Sequence, residues 1–91
     1  MPVVVTKRIA YIPLPPGPPE VPSGLIIEEF VVKDRRDPHQ VSRFRNLEDA
    51  IGEWLGRMRD RLICYASNPN SEEYVGVSWE WSQHAGEWVR L

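Results

Sequence analysis

The residues able to do chemistry are few and scattered. His39 and His84 stand 45 positions apart, each in a stretch that reads as a turn, and Cys64 is the lone cysteine. A metal site needs three or four converging ligands. Asp37 and His39 bring two at most, so the sequence implies no metal. Cys64, flanked by Ile63 and Tyr65, reads as a small buried hydrophobe with no neighbouring base to activate it. Glu28 and Glu29 are adjacent on a strand and point to opposite sides unless a bulge intervenes, which makes them a poor carboxylate pair. The six glycines form neither a dinucleotide-binding nor a Walker pattern. Catalysis needs groups that converge in a shielded pocket. The expectation is a protein that is not an enzyme and carries no cofactor.

Nucleic-acid binding would rest on Arg35, Arg36, Arg43 and Arg45, with aromatic rings nearby to stack bases. Residues 25–46 hold five bases against four acids, and the whole chain has 11 bases against 13 acids. Asp34 and Asp37 flank the arginine pair. Backbone binding needs a positive excess, and the expected role of these residues is a solvated face of mixed charge.

Two features point to another protein instead. Residues 13–24 carry Pro13, Pro15, Pro16, Pro18, Pro19 and Pro22, an extended arm that can form neither a helix interior nor a strand ladder. PxxP spacing recurs along it, but no lysine or arginine lies close enough to orient it in a foreign groove. A stiff crossover packed on its own domain is the plainer use of such a segment. The second feature is four tryptophans, three of them near the C-terminus: Trp79, Trp81 and Trp88. Trp54, Trp79 and Trp81 are expected in the core.

These features hang on a simple succession of elements. Val3–Ile12 alternates apolar residues at period two and reads as an edge strand guarded by Lys7. Leu25–Lys33 is a second strand, with a bulge at Glu28–Glu29 that keeps Ile27 and Phe30 on one buried face. His39–Arg45 is a third. Asn46 caps a helix whose stripe of Leu47, Ala50, Ile51, Trp54, Leu55, Met58 and Leu62 carries it to Cys64–Ala66. Gly52 and Gly56 weaken that helix, or let a strand approach it closely. Val75, Val77, Trp79 and Trp81 open a hairpin. A three-residue loop, His84-Ala85-Gly86, with Gly86 in the left-handed conformation, pairs Trp81 with Val89 and Glu80 with Arg90. Trp88 then stands outside, beside Glu80.

The resulting order is β, arm, β-β, α, β-β in one domain of 91 residues: an α+β fold with a small antiparallel or mixed sheet of four or five strands and one helix on one face. Its ββαββ part resembles a β-grasp domain in element order alone. With no signal peptide and no membrane span in the sequence, a cytoplasmic protein is expected. The function these features imply is a non-catalytic protein-binding module: an inhibitor, adaptor or small subunit, of the kind phages and mobile elements encode, inhibitors of host defence included. Its contact residues would be Trp88, Glu80, Arg90, Leu14 and Pro16. The competing readings are a structural subunit of a virion or other assembly, reaching a neighbouring copy through the N-terminal strand and arm, and nucleic-acid binding through the four arginines.

Overall fold

The computed structural model describes residues 12–57, 60–70 and 76–91. Five strands and one helix follow in the order β1 (Ile26–Lys33), β2 (Val41–Phe44), α1 (Leu47–Gly56), β3 (Arg61–Ser67), β4 (Gly76–Ser82) and β5 (Glu87–Arg90). The strands form one sheet, ordered β2-β1-β3-β4-β5, and every pairing is antiparallel. This is the expected small α+β fold. The strand read at Val3–Ile12 lies outside the described residues except for Ile12, as do Met58 and Val75.

The helix begins where its cap dictates. The Asn46 side chain accepts a hydrogen bond from the Asp49 amide at 2.8 Å, and Glu48 and Asp49 sit in the first turn, where the helix dipole favours acid. It ends one turn after Gly52, much earlier than the apolar stripe suggests. Arg57 is already extended (φ −111°, ψ 101°), and the chain turns there into β3. Leu62 thus belongs to a strand, where it shares a face with Cys64 and Ala66 while Ile63, Tyr65 and Ser67 take the other. Gly52 and Gly56 face open space, so neither lets a strand approach, and Leu55 is exposed.

The two sheet faces differ in chemistry. One carries Phe30, Val32, Leu62, Cys64, Ala66, Val77, Trp79 and Trp81, the buried core, with Ile27 and Trp88 packed against it. The register shift between Ile27 and Glu29 is the bulge expected there, and it keeps Ile27 and Phe30 on this face. Helix α1 lies over β1, β2 and β3 on the same side, burying Ala50 and Trp54. The opposite face is a charged layer over the fully buried Val31 and Ile63. There Arg61 forks onto Glu80 at 2.8 and 3.1 Å, Arg43 pairs with Glu29, and Lys33 stands 5.9 Å from the Tyr65 ring centre.

Trp54 fastens the end of α1 to the start of β3. Its ring is buried and its indole N–H donates to the Asp60 carbonyl at 2.8 Å. Trp54→Ala is expected to cost about 3–5 kcal/mol out of roughly 5–13 kcal/mol for a chain of this length. Trp54→Phe should retain the greater part of that. Denaturant unfolding of the two variants checks both, and an alanine variant as stable as wild type would refute the helix placement.

Candidate functional site

The C-terminal hairpin turns through four residues. Trp79 pairs with Arg90, Glu80 with Val89, Trp81 with Trp88 and Ser82 with Glu87, leaving residues 83–86 as the loop. Gly86 has the left-handed conformation expected of it (φ 66°), but its amide bonds to the Ser82 carbonyl at 2.8 Å, closing a longer turn than the three-residue loop. The shift of one residue moves side chains between faces. Trp88 therefore joins Trp81 on the core face, with ring centres 5.5 Å apart in an edge-to-face arrangement. Glu80 lies on the other side of the sheet and pairs with Arg61 and, at 3.6 Å, with Arg35, in place of Arg90. The expected contact trio of Trp88, Glu80 and Arg90 is thus split across the sheet.

The arm occupies the space that α1 leaves uncovered. The Trp81 indole donates to the Pro13 carbonyl at 3.1 Å, and the Trp88 indole to the Gly17 carbonyl at 2.8 Å. Burial along the arm alternates. Pro15 and Pro19 are buried, Gly17 and Val21 half-buried, and Leu14, Pro16, Pro18, Glu20 and Pro22 exposed. A threefold polyproline helix would bury every third residue. Pro13 is exposed, and from Leu14 to Pro22 this period of two turns the odd-numbered residues inward. The chain then turns back at Pro22–Leu25, where the Leu25 amide bonds to the Pro22 carbonyl and Gly24 takes a positive φ of 89°, and enters β1.

A groove of about 590 Å³ remains beside the arm, walled by Gly17, Pro19, Trp79, Trp81 and Trp88. A larger one of about 890 Å³ opens where the arm begins, and Ile12, Trp54, Asp60, His84, Val89 and Leu91 line parts of it. Val89 and Leu91 are exposed, where the three-residue loop would have turned them into the core. Gly86 closes the three-residue and the four-residue loop alike, so the loop's composition does not separate the two registers.

The remaining candidates stay apart. Arg43 is paired with Glu29 and Arg35 with Glu80, while Arg36 and Arg45 are exposed. Cys64 is fully buried in the middle of β3, and loss of hydration pushes its thiol up to about 12. Among the described residues no three His, Cys, Asp or Glu side chains stand close enough to hold a metal ion. The unusual titratable group is Asp60, buried between α1 and β3. Its Oδ2 has no hydrogen-bond partner, and its nearest cation is Arg57 Nε at 3.8 Å, itself held by Glu53 at 2.7 Å. Desolvation raises its pKa above the usual 3.8, and Asp34 and Glu53 add to the rise against the pull of Arg57 and Arg35. No family model, curated protein or solved structure matches the chain.

Two predictions follow from these burials. Folded Asp60 holds its proton to a higher pH than the unfolded chain does. Its contribution to stability is therefore full below the ordinary carboxylate value and falls as pH rises toward the raised one. Asp60→Asn should gain on wild type as pH increases from about 3 to about 7, measured by denaturant titration at each pH; a constant difference would contradict the shift. Cys64 should react with a thiol reagent only as fast as the protein unfolds, so labelling and unfolding rates should agree when measured together.

Proposed function

We propose that this protein is a non-catalytic protein-binding module, and that its contact surface is built by the outer side of the arm together with β5. One observation carries this reading. Ile12, Leu14, Val89 and Leu91 are 47%, 49%, 43% and 58% exposed, and three of the four line a single groove. Large apolar side chains scattered singly need no explanation, whereas a contiguous group marks a surface that water does not normally keep. Leu14 and Pro16, expected as contacts from the sequence, are on the arm's outward side. Arg90 alternates with Val89 and Leu91 along the strand, is exposed opposite Trp79 on the side that the arm covers, and supplies a charged rim there. Trp88 holds the arm in place, and Glu80, which lines the same groove beside its strand partner Val89, is held there by Arg61 and Arg35.

The reading of inhibitor, adaptor or small subunit rests on that exposed apolar group. The nucleic-acid alternative is weaker, because Arg35 and Arg43 already face carboxylates. The assembly alternative uses the same arm and is separated by experiment.

Leu14→Asp with Leu91→Asp should leave the melting temperature within a few degrees of wild type. The double variant should weaken capture of a partner from native-host extract by about 30-fold or more, the scale of a hot-spot contact. Nuclease treatment and raised salt should leave capture intact. Rings or polymers in light scattering of the isolated protein would favour the structural subunit, and salt-sensitive retention on heparin would favour nucleic acid.

A further inference from the structure

We infer that the tryptophan-lined half of the sheet is a recognition groove for extended proline-rich segments, and that residues 13–21 are its resident ligand, bound in cis. The inference goes beyond the outer contact surface, because it concerns what lies beneath the arm. The arm is held as a peptide ligand is held. Two indole N–H groups reach carbonyls four residues apart, at Pro13 and Gly17, and two prolines also four apart, Pro15 and Pro19, are buried. The walls are aromatic: Trp81 and Trp88 meet edge to face at 5.5 Å, and Phe30 lies 6.3 Å from Trp88.

The chemistry selects proline. A segment laid across a sheet face finds no ladder partners, so every backbone N–H it brought would be buried unsatisfied. Proline brings none, while the carbonyls of Pro13 and Gly17 accept from the indoles, which can only donate. Flat aromatic walls receive pyrrolidine rings without loss of chain entropy, since proline is already restricted. Contact between strand and arm also stops short of filling the site, because the groove of about 590 Å³ beside Pro19 and Trp79 stays open. Attachment in cis gives the arm an effective concentration on the order of millimolar or more. The groove is therefore self-occupied, and a foreign proline-rich segment must compete for it.

The test uses the full chain and a synthetic peptide with the sequence of residues 12–22. Pro15→Ser with Pro19→Ser loosens the arm without shortening it. This variant should bind the peptide saturably, read from the indole N–H resonances of Trp81 and Trp88, while that of Trp54 stays fixed. Wild type should bind it at least about tenfold more weakly, because its own arm competes. Trp88→Phe in the loosened variant keeps an aromatic ring but removes the donor, and should weaken binding roughly three- to tenfold. A peptide with every proline replaced by alanine should not compete. Should the loosened variant fail to fold, wild type titrated to millimolar peptide must still show shifts at Trp81 and Trp88. The inference is overturned by no shift at either indole, by equal affinity for wild type and loosened variant, or by indifference to Trp88→Phe. Those results would leave the Leu14 and Leu91 surface untouched, so the two proposals fail separately.

Discussion

Tryptophan owns a hydrogen-bond donor and no acceptor, and proline the reverse. Much of this protein depends on giving such indole donors a backbone carbonyl beside a proline-rich cover that brings few donors of its own. Three of its four indoles donate to carbonyls of irregular backbone: Trp54 to Asp60, Trp81 to Pro13 and Trp88 to Gly17. A ten-residue helix is too small to cover a five-stranded sheet, and α1 reaches only β1, β2 and β3. The rest of the core face needs a cover that carries few donors of its own into an apolar setting. The arm meets that need with six residues lacking an amide hydrogen between positions 13 and 22. Helix and arm are thus two halves of one layer, each secured by tryptophan.

The same face explains the size of the residue at its centre. Phe30 on β1 and Trp88 on β5 are three strand positions apart, about 14 Å at the usual strand spacing, yet their ring centres are 6.3 Å apart. Both rings must lean inward over the middle of the sheet, where Cys64 occupies the central strand. A side chain as small as cysteine leaves them room. On the other face the middle is spanned by long charged groups, with Arg61 and Glu80 bridging β3 to β4 above Ile63.

Local signals were legible in the sequence, and long-range ones were hidden by a coincidence of periods. The Asn46 cap, the bulge at Glu28 and the left-handed Gly86 each follow from the chemistry of one or two residues. The end of α1 does not. Leu62 continues the helical spacing of Leu47, Ile51, Trp54 and Leu55, and it equally begins the strand alternation Leu62, Cys64, Ala66. A strand buried on both faces looks apolar throughout and cannot be told from a helix by periodicity. The hairpin register has its own ambiguity, because a three-residue loop sets Trp81 against Val89, Glu80 against Arg90 and Trp79 against Leu91, like against like throughout. That register turns Trp88 outward, whereas the structure sets Trp88 against Trp81 and leaves Glu80 to Arg61 across β3 and β4. Leu14 and Pro16 were legible as outward because the arm's composition permits few alternatives, whereas the exposure of Val89 and Leu91 depended on the register.

The sheet tapers. Among the described residues its inner strands run eight, seven and seven residues, and the outer two, β2 and β5, only four each. An open sheet edge is a template on which any stray extended chain can polymerise, and the hazard grows with the length of edge on offer. Four residues provide a ladder too brief to hold an intruder, and Arg43 and Arg90 charge the two borders. By trimming its margins the sheet offers a passing extended chain little backbone to add to.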